Sequence, residues 1–145
     1  MEEQLISFET AKLAKEKRFN LQVTNYYNTN KIPYCETGIE YMSDKDTISN
    51  WNNGKGCYPT LAKDVNCSAP TQSLLQKWLR EVHGIDITVM PEWQKEKRVY
   101  YVGFSYINSS NKIDIFFSKN NDVKVQYKTY EESLEIGLQE ALKLI

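Results

Sequence analysis

Histidine is nearly absent from this 145-residue chain: His83 is the single one, beside three cysteines, Cys35, Cys57 and Cys67, that form no CxxC pair. A zinc site draws three or four ligands from such residues at close spacing, and a cysteine or serine nucleophile needs a base within hydrogen-bond reach. So thin a supply argues against a metal site and against nucleophilic catalysis, and no cofactor is expected. Three is also an odd count, which points to free thiols and a reducing compartment.

Long hydrophobic runs are missing as well. No segment approaches the roughly 20 apolar residues that span a bilayer. The start, MEEQLISFET, is acidic and lacks the apolar stretch of a signal peptide. A cytoplasmic protein with no membrane partner is expected. An excess of one charge is the third absence. Eighteen Lys and Arg stand against nineteen Asp and Glu, for a net charge of −1. The balance holds in each half, eight basic against nine acidic over 1–68 and ten against ten over 69–145. A protein that binds by neutralising phosphates carries a basic surplus, so nucleic acid is an unlikely partner on these grounds.

Aromatic residues are plentiful: ten Tyr, five Phe and three Trp make 12% of the chain. With 41% hydrophobic residues this suffices for one ordinary core. A single domain over 1–145 is expected.

The hydrophobic period sets the expected elements. SFETAKLAKEK (7–17) reads as a helix capped by Ser7, with Glu9 in its first turn and Lys15 and Lys17 in its last. Residues 21–35 hold one or two short strands, at an edge because of Pro33. Residues 36–66 form a long, polar, asparagine-rich insertion without a period, a kind of segment that is often functional. A stronger helix follows in SAPTQSLLQKWLREVHG, capped by Ser68, with Pro70 in its first turn. Leu74, Leu75, Trp78, Leu79 and Val82 face inward there, Gln72, Gln76, Lys77, Arg80 and Glu81 face outward, and Gly84 ends the helix. The period then falls to two over 85–89, with Ile85, Ile87 and Val89 inward. RVYYVGFSYI (98–107) is apolar on both faces, as a central strand is. KIDIFF (112–117) and VKVQY (123–127) continue the sheet across short turns. A capping box, Thr129 and Glu132, opens a last helix whose inner face is Leu134, Leu138, Ala141, Leu142 and Ile145. The order α-β-β-β-β-α over 68–145 predicts an α+β fold, an antiparallel meander of about four to five strands with helices packed on it.

Candidate chemistry is sparse. WNNGKGCYP (51–59) sets Lys55 between Gly54 and Gly56 with Trp51 upstream. Its spacing fails the phosphate-binding P-loop, and no helix follows directly. It remains a candidate ligand loop in which backbone N–H groups, Lys55 and a stacking tryptophan converge on an anion. Asp44 and Asp46 lack the glycine and glutamate of a calcium loop. Glu131, Glu132 and Glu135 suit a helix N-terminus, and would repel the phosphates that a double-stranded RNA-binding domain grips there. Tyr100, Tyr101, Phe104 and Tyr106 read first as core, with Gly103 relieving a bulge or a close helix. His83 stands where an imidazolium would meet the carbonyls at a helix C-terminus.

Three segments carry a resemblance: SFETAKLAKEKRFN, SAPTQSLLQKWLRE and TYEESLEIGLQEALKLI, together roughly a third of the chain. They resemble a family of small, functionally uncharacterised proteins encoded by phages and prophages of gut bacteria. That resemblance implies an accessory protein acting in a bacterial cytoplasm, carries no catalytic residue, and fits an anti-defence role by class. The expectation is a non-catalytic protein that binds and sequesters a small anionic ligand, such as an immune signalling nucleotide, through Trp51, Lys55, Tyr58, Arg80 and Arg98. Such a site often forms between subunits, so a homo-oligomer is expected. Two alternatives stand beside it: a protein-interaction module that modulates a host protein, and a hydrolase using Cys57 or Cys67 with His83.

Overall fold

The computed structural model describes residues 3–35, 50–53, 65–107, 113–117, 119–120 and 123–145. The chain gathers into two compact units: Leu5–Thr71, and Met1–Gln4 together with Gln72–Ile145.

In the unit Leu5–Thr71, helix α1 (Phe8–Glu16) starts where Ser7 Oγ accepts the Thr10 N–H, and buries Thr10, Ala11 and Ala14. It ends in a Schellman motif: the Phe19 N–H donates to the Ala14 carbonyl at 2.9 Å and the Arg18 N–H to Lys15 at 3.0 Å. Arg18 supplies the left-handed residue, φ 64°, that the motif demands and that glycine adopts without strain. Strands β1 (Asn25–Asn28), β2 (Pro33–Cys35) and β3 (Val65–Ser68) form an antiparallel sheet in the order β2-β1-β3. Pro33 lies in an edge strand, as its missing N–H requires.

Strand β3 has no counterpart in the sequence reading, because VNCS shows no alternation and is a strand only through its pairing with β1. That pairing moves a boundary. Ser68 is opposite Tyr26 and donates its N–H to Asn52 Oδ1 at 2.9 Å, so it is strand and not a helix cap. The chain stays extended through Pro70, whose carbonyl accepts the Ile6 N–H, and helix α2 begins only at Gln72.

The second unit holds α2 (Gln72–His83), β4 (Ile85–Gln94), β5 (Lys97–Ile107), β6 (Ile113–Phe117), β7 (Lys119–Asn120), β8 (Val123–Lys124) and α3 (Tyr130–Lys143). Leu75, Trp78 and Leu79 of α2 are buried as their spacing predicts, and Gly84 turns the chain at φ 66°. Two positions differ. Val82 is 60% exposed, while Gln72, expected outward, is 4% exposed and donates to the Glu131 carbonyl and to Glu135 Oε2. A buried amide is tolerated when both its donors are used.

The sheet is β4-β5-β6, antiparallel, with β5 central. It is shorter than the meander of four to five strands. The stretch 123–127 is no full fourth strand: Val123 and Lys124 pair with β7 in a separate two-stranded sheet, and only Tyr127 returns to bridge Tyr100. Helix α3 opens on its capping box, with the Glu132 N–H donating to Thr129 Oγ1 at 3.0 Å and Glu132 Oε2 accepting from the Lys128 N–H at 3.1 Å. Leu134, Leu138, Ala141 and Leu142 are buried, and so is Gly137. A Cβ on Gly137 would stand 2.6 Å from Val102 Cγ2 and 2.9 Å from Ile87 Cγ2, so the helix backbone rests directly on β4 and β5.

Arg18→Gly removes a left-handed arginine and should stabilise the Leu5–Thr71 unit by about 1 kcal/mol, read as a higher denaturant midpoint at unchanged slope.

Candidate functional site

The longest strands make the most distinctive surface. Ten residue pairs join β4 to β5, from Ile85 opposite Tyr106 to Gln94 opposite Lys97, closing on a two-residue turn of Lys95 and Glu96. Side chains alternate along each strand, so Ile85, Ile87, Val89, Pro91 and Trp93 share a face with their partners Tyr106, Phe104, Val102, Tyr100 and Arg98. Helix α3 covers the first part of that face, where Ile87 and Val102 meet Gly137.

The cover stops at Tyr130. Tyr100 and Tyr127 exchange both backbone hydrogen bonds, at 3.0 and 2.9 Å. Thr129 caps α3 two residues later, so its first residue, Tyr130, falls beside Tyr100, edge-on with ring centroids 6.3 Å apart. Beyond this point the hairpin overhangs the helix. The Arg98 guanidinium lies over the Tyr100 ring at 5.3 Å, and Trp93, directly opposite Arg98, is 70% exposed. Tyr130 is 43% exposed. Trp, Tyr and Arg are the residue types that carry most binding energy at protein interfaces, and a largely exposed tryptophan contributes little to folding.

Beside Tyr130 opens a cleft of about 270 Å³ lined by Glu3, Gln4, Gln72, Ser73, Tyr130, Glu131 and Leu134. Ser73 Oγ donates to Glu3 Oε1 at 2.6 Å, and the Gln72 N–H donates to the Gln4 carbonyl at 2.9 Å. Two carboxylates on its rim make this cleft a poor seat for an anion.

No family model, no curated protein and no solved structure matches this chain. Its surfaces are therefore interpreted from their own chemistry.

Of the three described residues expected to bind ligand, Trp51, Arg80 and Arg98, only Arg98 lies on the exposed aromatic face. Trp51 is 3% exposed, donates its indole N–H to the Val23 carbonyl at 2.9 Å, and stacks at a tilt on Tyr26, 4.5 Å between centroids. Its neighbours are equally occupied: Asn50 donates to the Asn20 carbonyl, and Asn52 donates to Phe19 while accepting from Ser68. The Asn50-Trp51-Asn52 run is a core staple of its unit, and a ring held this way offers no free face for stacking. Lys55 and Tyr58, with Gly54, Gly56, Cys57, Asp44 and Asp46, lie outside the described residues. Arg80 is exposed in the last turn of α2, just before Ile85. Arg98 pairs with Trp93, eight residues along β4 from Ile85 or roughly 26 Å of strand, so the two arginines form no common site. Sequence reading passed over Trp93 because EWQKEKR shows no period; its place opposite Arg98 exists only through the register.

Of the residues proposed for catalysis, Cys57 lies outside the described residues, and Cys67 is held in an unreactive state. Cys67 is fully buried, and burial pushes its thiol pKa up to about 11 despite the counteracting charge of Lys15. A thiol nucleophile works as thiolate, so Cys67 is inert near neutrality. His83 packs edge-on against Trp78 at 4.5 Å, and burial lowers its pKa. The shift favours the neutral imidazole. Among the described residues, no group of three or more His, Cys, Asp or Glu side chains is placed to hold a metal ion, and no helix is long and apolar enough to cross a membrane.

Trp51→Ala should cost the Leu5–Thr71 unit about 3–5 kcal/mol in chemical denaturation, with Trp51→Phe losing less because the ring volume is largely kept. Cys67 sets a pH dependence of known sign. Its folded pKa exceeds the unfolded one, so its contribution is complete below about pH 9 and is lost as pH rises through about 11. Stability should fall by roughly 2–3 kcal/mol across that window beyond the fall seen in Cys67→Ala, measured by urea unfolding at each pH.

Proposed function

We propose that this chain is a non-catalytic binding protein whose recognition face is the overhanging end of the β4–β5 hairpin, and that it works as a protein-interaction module. The observation that carries this reading is Trp93, 70% exposed opposite an Arg98 already stacked on Tyr100. Folding leaves these anchors uncovered, and their chemistry is that of interface hot spots. The resemblance to phage and prophage proteins supports a setting in a bacterial cytoplasm. There, an accessory protein that modulates a host protein, in an anti-defence role, fits a chain whose Cys67 thiol is held inert.

Sequestration of a small anionic ligand, such as a signalling nucleotide, is the second reading. Arg98 over Tyr100, whose ring also meets Tyr130, favours it, since a cation beside rings suits a phosphate attached to a base. The acidic cleft next to Tyr130 and the burial of Trp51 count against it. Self-association through the same face would make the chain a homo-oligomer, which sedimentation of the purified protein reads directly.

One comparison separates these readings. Tagged wild-type protein and the Trp93→Ala/Arg98→Ala variant are purified from bacterial cells, and both bound proteins and small molecules released on denaturation are identified. A host protein retained by the wild type and lost from the equally stable variant is expected. A nucleotide released from the wild type alone would favour sequestration; identical recovery from both proteins would remove the hairpin face as the binding site.

A further inference from the structure

The tip of the β4–β5 hairpin gathers three features, two of which folding by itself disfavours. Trp93 stands 70% exposed. Lys95, first residue of the turn, is held at φ 57°, a left-handed conformation that glycine adopts freely and a lysine adopts under strain. Lys95, Lys97 and Arg98 crowd into four consecutive positions. All three are exposed, and among the described residues none of them is in an ion pair. A left-handed lysine and an exposed tryptophan are costs that persist when a site is kept for binding, and the three cations lie beside them.

We infer that this tip is a docking finger for an acidic protein surface, with Trp93 filling an apolar pocket of the partner and Lys95, Lys97 and Arg98 meeting carboxylates around it. The inference rests on the protein-interaction reading and adds the partner's chemistry. Alternation places Arg98 on the tryptophan's face, Lys97 on the opposite face and Lys95 in the turn. The cations therefore surround the anchor, which suits a pocket with a negative rim. Arg98 is the best placed of them, because its guanidinium already rests on Tyr100 and loses less freedom on binding.

Two other modes fit less well. A nucleic-acid backbone needs a broad basic surface, whereas the tip sets only three cations against Glu92 and Glu96, a small excess that suits a few carboxylates around one pocket. Strand addition along β4 is blocked at its middle. Gln76 Nε2 donates to the Ile87 carbonyl at 2.9 Å, which marks the odd-numbered residues of β4 as those whose backbone groups face outward from the hairpin. Pro91 shares that parity and has no N–H to offer. Recognition is left to side chains.

The test uses the full chain. Random dodecapeptides displayed on phage are selected on immobilised wild-type protein, and the enriched sequences are synthesised and titrated against wild type, Trp93→Ala and Lys95→Ala/Lys97→Ala. Enrichment of peptides with Asp or Glu flanking an apolar residue is expected, with binding weakened at least about tenfold by Trp93→Ala and reduced by added salt. Both variants alter exposed side chains, so an unchanged melting temperature verifies folding. No enrichment, enrichment without acidic residues, or equal binding to Trp93→Ala would overturn the inference. A short DNA duplex and ATP are titrated in parallel. Trp93-dependent binding of either would overturn the acidic-protein assignment while leaving the face as a binding site. If no probe responds to Trp93→Ala, the protein-interaction reading fails with it.

Discussion

The ladder between β4 and β5 is the constraint on which the Gln72–Ile145 unit depends. Ten pairs in one register put Ile85, Ile87, Val102 and Phe104 on a single face, and that face is what α3 needs. Because side chains alternate with period two, a slip of one residue would turn this apolar set away and present Asp86 and Thr88 to the helix. Gly137 narrows the choice further. A helix that approaches within a methyl group's reach of Val102 and Ile87 can sit at one place along the strands. The same register that seats α3 carries Trp93 and Arg98 past its end, so the exposed face is a by-product of strands longer than their cover.

The Leu5–Thr71 unit is tied differently. Its sheet has short strands and few large apolar side chains, and polar side chains take over part of the work. Asn52 links the Phe19 carbonyl to the Ser68 N–H, Asn50 reaches Asn20, and Tyr27 Oη donates to the Ile6 carbonyl at 2.7 Å. Each bond satisfies a backbone group with no ladder partner, a frequent duty of side-chain amides in irregular segments. This explains why an asparagine-rich stretch contains a tryptophan: Trp51 fills the core while its neighbours knit the backbone around it.

Where local chemistry decides, residues are enough to place the element. Ser7 and Thr129 mark helix starts because a hydroxyl answers the first free N–H groups, and Gly84 marks an end because it turns left-handed freely. The central place of β5 is readable from its two apolar faces, and the edge position of β2 from Pro33. Elements defined by a distant partner resist such reading. β3 owes its existence to β1, the start of α2 moves to Gln72 because Ser68 is already bonded to Asn52, and Tyr127 joins the sheet only through Tyr100. The candidate site belongs to this second kind. Arg98 and Tyr100 are neighbours on one strand, but Trp93 comes opposite Arg98 only through the register and Tyr130 reaches Tyr100 only through helix placement.

The sequence by itself determined the α+β class, the three helices with two of their caps, and the two-residue alternation that gives β4 an inner face. These follow from interactions within a few residues, where spacing and side-chain type are the whole cause. Tertiary structure alone decided which aromatic rings are buried and which are offered to solvent. Trp51 and Trp93 both lie in polar surroundings along the chain. One has the Val23 carbonyl and the Tyr26 ring to receive it, and the other stands beyond the first turn of α3, the helix that covers the rest of its face. Burial depends on what the folded chain brings alongside, and that partner lies far off in sequence.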